Sequence, residues 1–464
     1  MTQKKISATR KREQTVSDSV SPKMSCGMDI GQAIVEANRC LLCHDAPCSK
    51  ACPAGTDPGT FIRKLKLRNI TGAVRTIKEN NVLGGACGIL CPTSRLCEKE
   101  CSASGLDRPV QIGKIQRALI EHSWETGLDA REILNSCKVS EKNGKVAVIG
   151  SGPAGLACAA TLARSGVAVT VFEAKKKAGG VLRYGVPSFR LPGEFLDREL
   201  EDLHHLGISF KFSTPVKGKK EIDQLFSSGF KAVFVGTGLW QAAKLSDKPQ
   251  PVGVYSSIEF LEDFRSTTKS KAASRVKQKI VGVIGGGSVA IDCARVALKL
   301  GASDVYLIYR RSFAQMPAEP DEKIEALEEG IHFLLLNQPV DYISNKSGTL
   351  EAVKLIRTCL GEPDRSGRRK PVQVSGSEWT LKLDAVIEAI GNVSHEDLSA
   401  LLPKAKADPK NLLMVNNENG SANIPGVFAG GDIVRGPALV VEAINDGKKA
   451  GRAILASLQQ GKSK

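Results

Sequence analysis

The chain of 464 residues, of which 42% are hydrophobic and 25% charged, is long enough for two to four domains and is neither disordered nor fibrous. Its apolar runs are too short to span a bilayer, and its basic first 25 residues lack the apolar core of a secretory signal. With aromatic residues at only 5%, the net charge of +16 indicates an acidic protein partner rather than a nucleic acid.

A cysteine-rich segment follows the N-terminal tail. Residues 1–25 are rich in Lys, Ser and Thr and predict a flexible basic tail. Residues 26–140 predict a small helical domain, and eight of the 13 cysteines of the chain lie between Cys40 and Cys101. Because no signal is predicted, we expect a cytoplasmic protein whose thiols stay reduced. The cysteine density therefore indicates metal or redox chemistry rather than a disulfide framework.

Two sets of cysteines divide this segment. They are Cys40, Cys43, Cys48 and Cys52-Pro53, and then Cys87, Cys91-Pro92, Cys97 and Cys101. A run of four cysteines that ends in Cys-Pro is typical of iron–sulfur ligation, in which the last cysteine binds a second cluster. The spacing predicts two [4Fe-4S] clusters, with a pair of zinc sites as the alternative. From the residues alone, Cys87 is preferred as the eighth ligand because thiolate is a soft ligand that suits iron.

A first nucleotide-binding unit begins at Lys145. An apolar strand ends at Ile149, and a helix and a second strand ending in Glu173 follow the turn Gly150-Ser151-Gly152-Pro153-Ala154-Gly155. The glycines allow close approach of a pyrophosphate to the helix N-terminus, and the acid can accept a hydrogen bond from a ribose. Strand, turn, helix and acid in this order predict a dinucleotide site.

A second unit repeats this pattern from Ile280. Its turn reads Gly285-Gly286-Gly287-Ser288-Val289, and its second strand ends in Arg310-Arg311 instead of an acid. A carboxylate at this position would repel a 2′-phosphate, whereas guanidinium groups bind it well. The residues therefore predict NADPH, with simple solvation of the two arginines as the alternative.

A third glycine-containing turn lies late in the chain. A short strand enters Gly430-Gly431-Asp432, and residues 440–454 predict an amphipathic helix. This arrangement resembles the flavoprotein disulfide-reductase superfamily, in which the Asp holds the flavin ribityl chain and the NAD(P) domain is inserted into the FAD domain.

That resemblance implies an α/β fold with two Rossmann-like domains after a helical iron–sulfur domain. The FAD domain would comprise residues 145–279 and 392–460, and the NAD(P) domain residues 280–391. Residues 231–238 and 384–391 would form the paired crossings between them. Neither nucleotide domain contains a Cys-x-x-Cys, so we expect electrons to leave the flavin through the cysteine-rich segment.

From about Ile34 onward the chain resembles the electron-input half of dihydropyrimidine dehydrogenase, to which the glutamate synthase small subunit is related. The motifs that carry this resemblance are Arg39 to Cys48, Cys91-Pro92-Thr93-Ser94-Arg95-Leu96-Cys97, Gly179-Gly180 with Val186 to Pro192, and Gly431-Asp432. The five residues between Cys91 and Cys97 fit the pyrimidine branch better than the glutamate synthase branch.

The resemblance implies the site residues position by position. One cluster would take Cys40, Cys43, Cys48 and Cys101, and the other Cys52, Cys91, Cys97 and Gln116, with Cys87 beside the cluster as a non-ligand. FAD would bind Gly150, Gly152, Pro153, Ala154, Gly155, Glu173, Gly180, Val181, Arg190, Gly431 and Asp432. NADPH would bind Gly285, Gly287, Ser288, Val289, Arg310, Arg311, Ala389, Ile390 and Gly391.

The implied function is that of an NAD(P)H-oxidising subunit. Its electrons would pass through FAD and the clusters to an FMN-containing partner that reduces uracil or thymine to the 5,6-dihydro form. The alternatives are a glutamate synthase or other acceptor, and a non-enzymatic zinc-stabilised nucleic-acid-binding protein. The residues Gln315-Met316-Pro317 stand where the family has a further basic residue, which leaves NADH as an alternative to NADPH. Hydride transfer to flavin requires no catalytic acid or base, so none is predicted.

Overall fold

The computed structural model describes residues 27–128, 134, 139–246, 248–266, 269–364, 367–394 and 398–460. The predicted tail, residues 1–25, lies outside this range. The helices are α1 (Ile30–Ala37), α2 (Pro47–Lys50), α3 (Pro58–Lys66), α4 (Ile70–Asn80), α5 (Gly84–Leu90), α6 (Ile112–Glu125), α7 (Pro153–Arg164), α8 (Val181–Tyr184), α9 (Gly193–His205), α10 (Lys219–Ser227), α11 (Ser257–Arg265), α12 (Lys269–Val276), α13 (Ser288–Lys299), α14 (Pro320–Glu328), α15 (Leu398–Leu401), α16 (Asp432–Arg435) and α17 (Val440–Gln460).

The strands are β1 (Ser140–Ile149), β2 (Val167–Phe172), β3 (Ser209–Lys211), β4 (Ala232–Val235), β5 (Gln241–Ala242), β6 (Val254–Ser256), β7 (Ile280–Ile284), β8 (Asp304–Tyr309), β9 (His332–Leu335), β10 (Asn337–Ser344), β11 (Leu350–Pro363), β12 (Arg369–Gln373), β13 (Trp379–Lys382), β14 (Ala385–Glu388), β15 (Asn392–Val393) and β16 (Val427–Ala429). In the described part of the chain, no helix combines the length and the apolar character that crossing a bilayer requires.

Helices α1 to α6 form the cysteine-rich domain. Asp29 and Gln32 form a capping box at the start of α1, and Asp57 accepts the N–H of Thr60 at 3.0 Å at the start of α3. Such caps stabilise a helix by about 1 kcal/mol. The apolar core of these helices is continuous with that of the first nucleotide unit, so the two are packed as one body rather than as separate cores.

The first sheet is parallel and has the strand order β16-β4-β1-β2-β3. β16 pairs with β4 although the second unit lies between them in sequence, which is the insertion that the resemblance implied. α17 crosses α7 closely because of glycines at the contact. A Cβ at Gly447 would lie 2.0 Å from the carbonyl oxygen of Ala154, so only glycine permits this crossing.

The second sheet is also parallel, with the order β6-β14-β7-β8-β9. β6 pairs with β14 and begins at Val254. The sheet therefore includes residues that precede the predicted boundary between residues 279 and 280. An antiparallel sheet of β10, β11, β12 and β13, which the sequence analysis did not predict, packs beside it.

Buried charged groups hold the three units together. Arg190 of the first unit pairs with Asp292 at 2.8 Å and Glu322 at 2.6 Å of the second unit. Lys78 of the cysteine-rich domain pairs with Asp202 at 2.6 Å. The carboxylate of Glu199, on α9, accepts the first N–H groups of α5. Since breaking one partner of a buried pair is costly, these contacts fix the relative orientation of the units.

Candidate functional site

A cavity of about 350 Å³ opens at the carboxyl ends of the first-sheet strands, where doubly wound folds bind their ligands. Most of the residues predicted to bind FAD line it: Gly150, Gly152, Pro153, Ala154, Glu173, Gly180, Val181, Gly431 and Asp432. Gly155 and Arg190 do not line the cavity. Gly155 packs instead against the turn, where a Cβ would lie 2.0 Å from the carbonyl oxygen of Gly150.

Glu173 organises the turn between β1 and α7. Its buried carboxylate accepts the N–H of Ser151 at 2.9 Å, the Ser151 hydroxyl and the N–H of Lys175 at 2.8 Å. Gly180, at φ +53°, lies against Gly152, where an added Cβ would be 2.7 Å from the Cα atom. The backbone thus leaves a narrow channel beside the N-terminus of α7, and its shape and polarity fit a dinucleotide pyrophosphate.

Asp432 begins α16 at the other end of the cavity. Burial raises its carboxyl pKa to about 6, and the N–H of Ala438 opposes this shift. The first residues of α17, Val440 and Ala443, line the cavity beyond it. An acid at a strand end followed by a helix fits a flavin ribityl chain and ring, so the residues present fit FAD.

Two further residues of this cavity were not predicted. Lys175 and Trp240 both line it, and the Lys175 ammonium lies 4.2 Å from the centre of the Trp240 ring and 4.6 Å from that of Tyr184. Lys175 also pairs with Glu262 on α11. No local motif marks Trp240, because the loop after β4 brings it to the cavity.

The second glycine turn adjoins the loop after β14. Gly285, at φ +147°, leaves no room for a side chain, because a Cβ would lie 2.3 Å from the carbonyl oxygen of Ala389. Gly287 precedes α13, whose first residues are Ser288 and Val289. Val289 and Ile390 are exposed, and Gly391 has φ +120°. The structure therefore brings the two predicted NADPH-binding segments together at one surface.

The two adjacent arginines have different environments. Arg310 is exposed at the end of β8. The Arg311 guanidinium is buried and donates to Asp364 at 2.7 Å and to the carbonyl oxygen of Arg369 at 2.8 Å. Arg311 therefore fastens the β11–β12 hairpin to β8, and Arg310 is the guanidinium that faces solvent beside the turn.

One group of cysteines surrounds a small cavity of about 20 Å³. We call Cys52, Cys91, Cys97 and Gln116 the inner group, and Cys87 lines the same cavity. Burial raises the pKa of the Cys87 thiol to about 12. The Gln116 amide donates to the carbonyl oxygen of Gly84 at 2.6 Å, which leaves its side-chain oxygen available as a ligand.

The inner cavity also contains an unsatisfied polar group. Thr56 Oγ1 is buried, lines the cavity and has no hydrogen-bond partner within the described residues. A buried hydroxyl without a partner is costly, and the cluster sulfurs of an iron–sulfur centre would accept its hydrogen bond. Soft thiolate donors and this hydroxyl together fit an iron–sulfur cluster.

The second group lies nearer the surface. We call Cys40, Cys43, Cys48 and Cys101 the outer group, and all four thiols are partly exposed. Burial raises the pKa of the Cys48 thiol to about 11, and the charges of Cys101 and Cys40 raise it further. Cys43 Sγ lies 3.4 Å from Ser102 Oγ. Within the described residues, no three His, Cys, Asp or Glu side chains are grouped closely enough to hold a single metal ion.

Helix α17 separates the two cavities at its first turn. Val440 lines the large cavity, and its neighbour Val441 lines the cavity of the inner group. Lys448, two turns further along, donates to the carbonyl oxygens of Ala54 and Asn80, both at 2.5 Å. Successive residues of this helix therefore line the predicted flavin site and the cavity of the inner cysteines, so the helix lies between the two.

Two family profiles cover most of the chain. Residues 19–128 match dihydropyrimidine dehydrogenase domain II, 4Fe-4S cluster, and residues 144–447 match pyridine nucleotide-disulphide oxidoreductase. The chain is 36% identical to the Escherichia coli NAD-dependent dihydropyrimidine dehydrogenase subunit PreT over 91% of its own length and 93% of that protein. It is equally similar, at 36%, to the Escherichia coli glutamate synthase [NADPH] small chain, over 92% and 91% of the two chains.

Solved structures share the fold of the nucleotide-binding region. Mycobacterium tuberculosis FprA in complex with NADPH has a TM-score of 0.58 and 18% identity, over 69% of this chain and 85% of that one. Thioredoxin reductase from T. acidophilum has a TM-score of 0.50 and 19% identity, over 67% and 97% of the two chains. The predicted arrangement of two Rossmann-like domains after an iron–sulfur domain is therefore confirmed.

Proposed function

Because this chain belongs to the pyridine nucleotide-disulphide oxidoreductase family, with an iron–sulfur domain of the dihydropyrimidine dehydrogenase type ahead of the nucleotide-binding region, we propose that it is the NAD(P)H-oxidising subunit of a larger enzyme. Bound FAD would accept a hydride from NAD(P)H and release electrons singly to two [4Fe-4S] clusters. The observation that supports the proposal most directly is that Val440 and Val441, successive residues of α17, line the large cavity and the cavity of the inner cysteines.

The residues around the flavin cavity have three tasks. The Gly150–Gly155 turn and the α7 N-terminus would bind the pyrophosphate, and Glu173 would orient the adenosine ribose. Asp432 would hold the ribityl chain. The first turn of α17 excludes water from the side of the cavity that faces the inner group, which favours transfer to the cluster over loss of electrons to solvent.

The two cysteine groups would hold the clusters in series. The inner group borders the flavin cavity through Val441, and the outer group lies at the surface. Cys52, Cys91, Cys97 and Gln116 would ligate the first acceptor, and Cys40, Cys43, Cys48 and Cys101 the second. The order supports a relay from the interior to the outside of the subunit.

The second glycine turn would bind the nicotinamide cofactor. Gly287, Ser288 and Val289 would approach its pyrophosphate, and the loop Ala389-Ile390-Gly391 would close over it. Arg310 faces solvent and is the side chain that would bind a 2′-phosphate, which favours NADPH. Arg311 would not contribute a second guanidinium to the 2′-phosphate, since it is held by Asp364. NADH therefore stays the alternative.

The electron acceptor is proposed from the relatives. The Escherichia coli relative PreT is a subunit of an NAD-dependent dihydropyrimidine dehydrogenase, and the partner proposed here is an FMN-containing subunit that reduces uracil or thymine. The second candidate is glutamate synthase, favoured by equal identity to that enzyme's small chain. Free thiols throughout the described residues support a cytoplasmic location.

Anaerobic purification of the full chain tests the proposal. Two cubane clusters would give roughly eight iron and eight acid-labile sulfide per chain, together with one FAD and no FMN. NADPH or NADH should then bleach the flavin, and the co-purified partner should form dihydropyrimidine. Stoichiometric zinc, a single cluster or an unreactive flavin would contradict the assignment.

A further inference from the structure

Five large apolar side chains are exposed on the cysteine-rich domain. We call these residues the outer face: Val35, Leu41, Leu42, Leu67 and Leu106, with exposed fractions of 69%, 48%, 42%, 74% and 77%. Single exposed apolar residues are ordinary, but a contiguous group of them marks an interaction site. The contacts around the outer cysteines decide whether these five residues form such a group.

Hydrogen bonds tie the segments that carry them to one loop. Lys66, next to Leu67, donates to the carbonyl oxygens of Asn38 and Cys40, both at 3.4 Å. Arg39 donates to Asp107, which follows Leu106, at 3.0 Å. Leu41 and Leu42 lie on the loop itself, and Val35 lies one turn before it on α1. The five residues therefore lie on the loop that begins the outer group or on segments that adjoin it.

Leu42 is held in a conformation that leucine rarely adopts. Its φ is +55°, in the left-handed region where a side chain costs about 1 kcal/mol or more. The residue stands between Cys40 and Cys43, in the loop that carries these two thiols, and is 42% exposed. The strained position keeps an apolar side chain in solvent directly beside the outer group.

The surroundings of the outer face are basic. Residues 38–68, which carry Leu41, Leu42 and Leu67, contain six Lys or Arg and two Asp, and residues 98–108, which carry Leu106, contain two Lys or Arg and three Asp or Glu. Arg63 donates to the carbonyl oxygen of Cys43 at 3.5 Å, and Arg68 and Lys50 are exposed. Apolar contact at the centre and complementary charge at the rim are the usual composition of a protein interface. A second copy of this chain or its own residues 1–26, with six Lys or Arg and two acidic residues, would carry the wrong sign.

We propose that the outer face is the docking site for an electron-accepting protein whose own apolar patch is rimmed by Asp and Glu. This inference rests on the proposed function, because it names the surface through which the relay leaves the subunit. Leu41 and Leu42 form the apolar centre, and the basic side chains orient the partner over the outer cysteines. One NAD(P)H supplies two electrons, so each turnover reduces two one-electron acceptors and releases one proton.

Two small haem proteins of opposite charge serve as probes of the holoenzyme. Acidic cytochrome b5 should be reduced readily by NADPH through the wild-type chain, and basic cytochrome c poorly, each by one electron at its Fe(III). Leu41→Glu should lower kcat/KM for cytochrome b5 by at least about tenfold. Met414→Glu, at a residue with a similar exposed fraction of 50% on the first nucleotide unit, should leave it unchanged.

A second pair of variants tests the charge. Arg68→Glu should slow cytochrome b5 reduction several-fold at low salt, and the difference should disappear at about 0.5 M salt, where screening is nearly complete. Lys220→Glu, an exposed residue of α10, changes the net charge equally and should have no such effect. Leu106→Glu repeats the Leu41→Glu test at a residue outside the cysteine loop and should also lower cytochrome b5 reduction. Iron content and ferricyanide reduction are measured to verify that the variant retains its cofactors.

Several results would overturn the proposal. Wild-type rates in both Leu41→Glu and Leu106→Glu would place docking elsewhere, and equal losses for both cytochromes would exclude an acidic partner. Conversion of a dimer to a monomer without loss of cytochrome b5 reduction would make the outer face a self-interface. Failure of NAD(P)H to bleach the flavin would contradict the proposed function but not the docking site. In that case the enzyme is reduced with dithionite, the excess is removed, and reduction of cytochrome b5 by this enzyme still tests docking.

Discussion

The inner and outer cysteine groups contain mostly the same side chain at different depths. Of the three inner thiols, Cys97 is buried and Cys52 and Cys91 are partly exposed, and all three line the small cavity beside Val441. The four outer thiols are all partly exposed and lie beside a strained, apolar and basic loop. The contrast teaches that position rather than ligand type separates the two proposed roles, because the inner group adjoins the large cavity through Val441 and the outer group adjoins an exposed loop that a partner can reach.

Of the changes considered, removal of an inner thiolate should have the largest effect on electron transfer, because it affects the inner group and leaves the outer group intact. In Cys97→Ala the inner cluster should be lost, and dihydropyrimidine formation with the partner subunit should fall more than about 100-fold, since even residues that only support a ligand change activity by 10 to 100-fold. FAD should remain, because its cavity is lined by other residues, and NADPH should still bleach it. Iron analysis measures the loss of the cluster, and stopped-flow absorbance measures bleaching of the flavin.

The matched control for Cys97→Ala is Cys158→Ala. Cys158 is buried in the same continuous core on α7 but lines neither cavity, so this variant should keep its iron and its partner activity. Unimpaired pyrimidine reduction by a Cys97→Ala chain that has lost the inner cluster would show that electrons bypass it.

A pair of variants sharpens the definition of the inner group. Gln116→Ala should lower occupancy of the inner cluster by up to about 100-fold, whereas Cys87→Ala should leave the iron content unchanged. Both residues line the cavity, but in the proposed arrangement Gln116 is the fourth ligand and Cys87 is not a ligand. Electron paramagnetic resonance of the reduced protein compares the two, and the opposite ranking would assign the ligand to Cys87.

The contrast between exposed and buried members of a pair extends to the arginines. Arg310→Ala should weaken NADPH binding by at least about 1.5 kcal/mol, roughly tenfold, and leave NADH binding nearly unchanged, because a charge-assisted hydrogen bond to the 2′-phosphate is lost. Arg311→Ala should instead lower thermal stability, since Asp364 loses its buried partner. Flavin bleaching titrations and melting curves separate the effects, and equal losses for both nucleotides would contradict a phosphate-binding role.

The smallest expected effect concerns the hydroxyl in the inner cavity. Thr56→Val removes the O–H and preserves the shape, and should lower the reduction potential of the inner cluster by about 20 to 60 mV, the equivalent of one net hydrogen bond for a one-electron couple. Thr161→Val on α7, whose hydroxyl donates to Ala157, is the control. A redox titration that gives identical potentials would mean that Thr56 does not donate to the cluster.

Much of the fold followed from short-range patterns. The strand, glycine turn and helix around Gly150 and Gly285 are local features, and both appear at the predicted positions. β6 was not predicted, because a strand of three residues has too little pattern of its own and is defined by pairing with β14, far along the chain. The antiparallel sheet was not predicted either, because β12 and β13 are short and mostly exposed, and no buried apolar run marks them.

Site residues divide in the same way. Cavity-lining residues near a motif, such as Glu173 and Asp432, were accessible from the sequence. The position of Arg190 was not, because its partners Asp292 and Glu322 lie on helices of another unit and draw the guanidinium away from the cavity. Asp364 likewise lies 53 residues from Arg311, and no local pattern connects an ion pair at that separation.

The contact of Lys448 with Ala54 has a consequence for the timing of assembly. The two residues are 394 positions apart in the chain, so at ordinary rates of protein synthesis about 20 to 80 s pass between their appearances. During that interval α17 does not yet exist and the cysteines near Ala54 have no wall beside them. Until α17 is synthesised, the inner cavity therefore lacks Val441 and is open on that side.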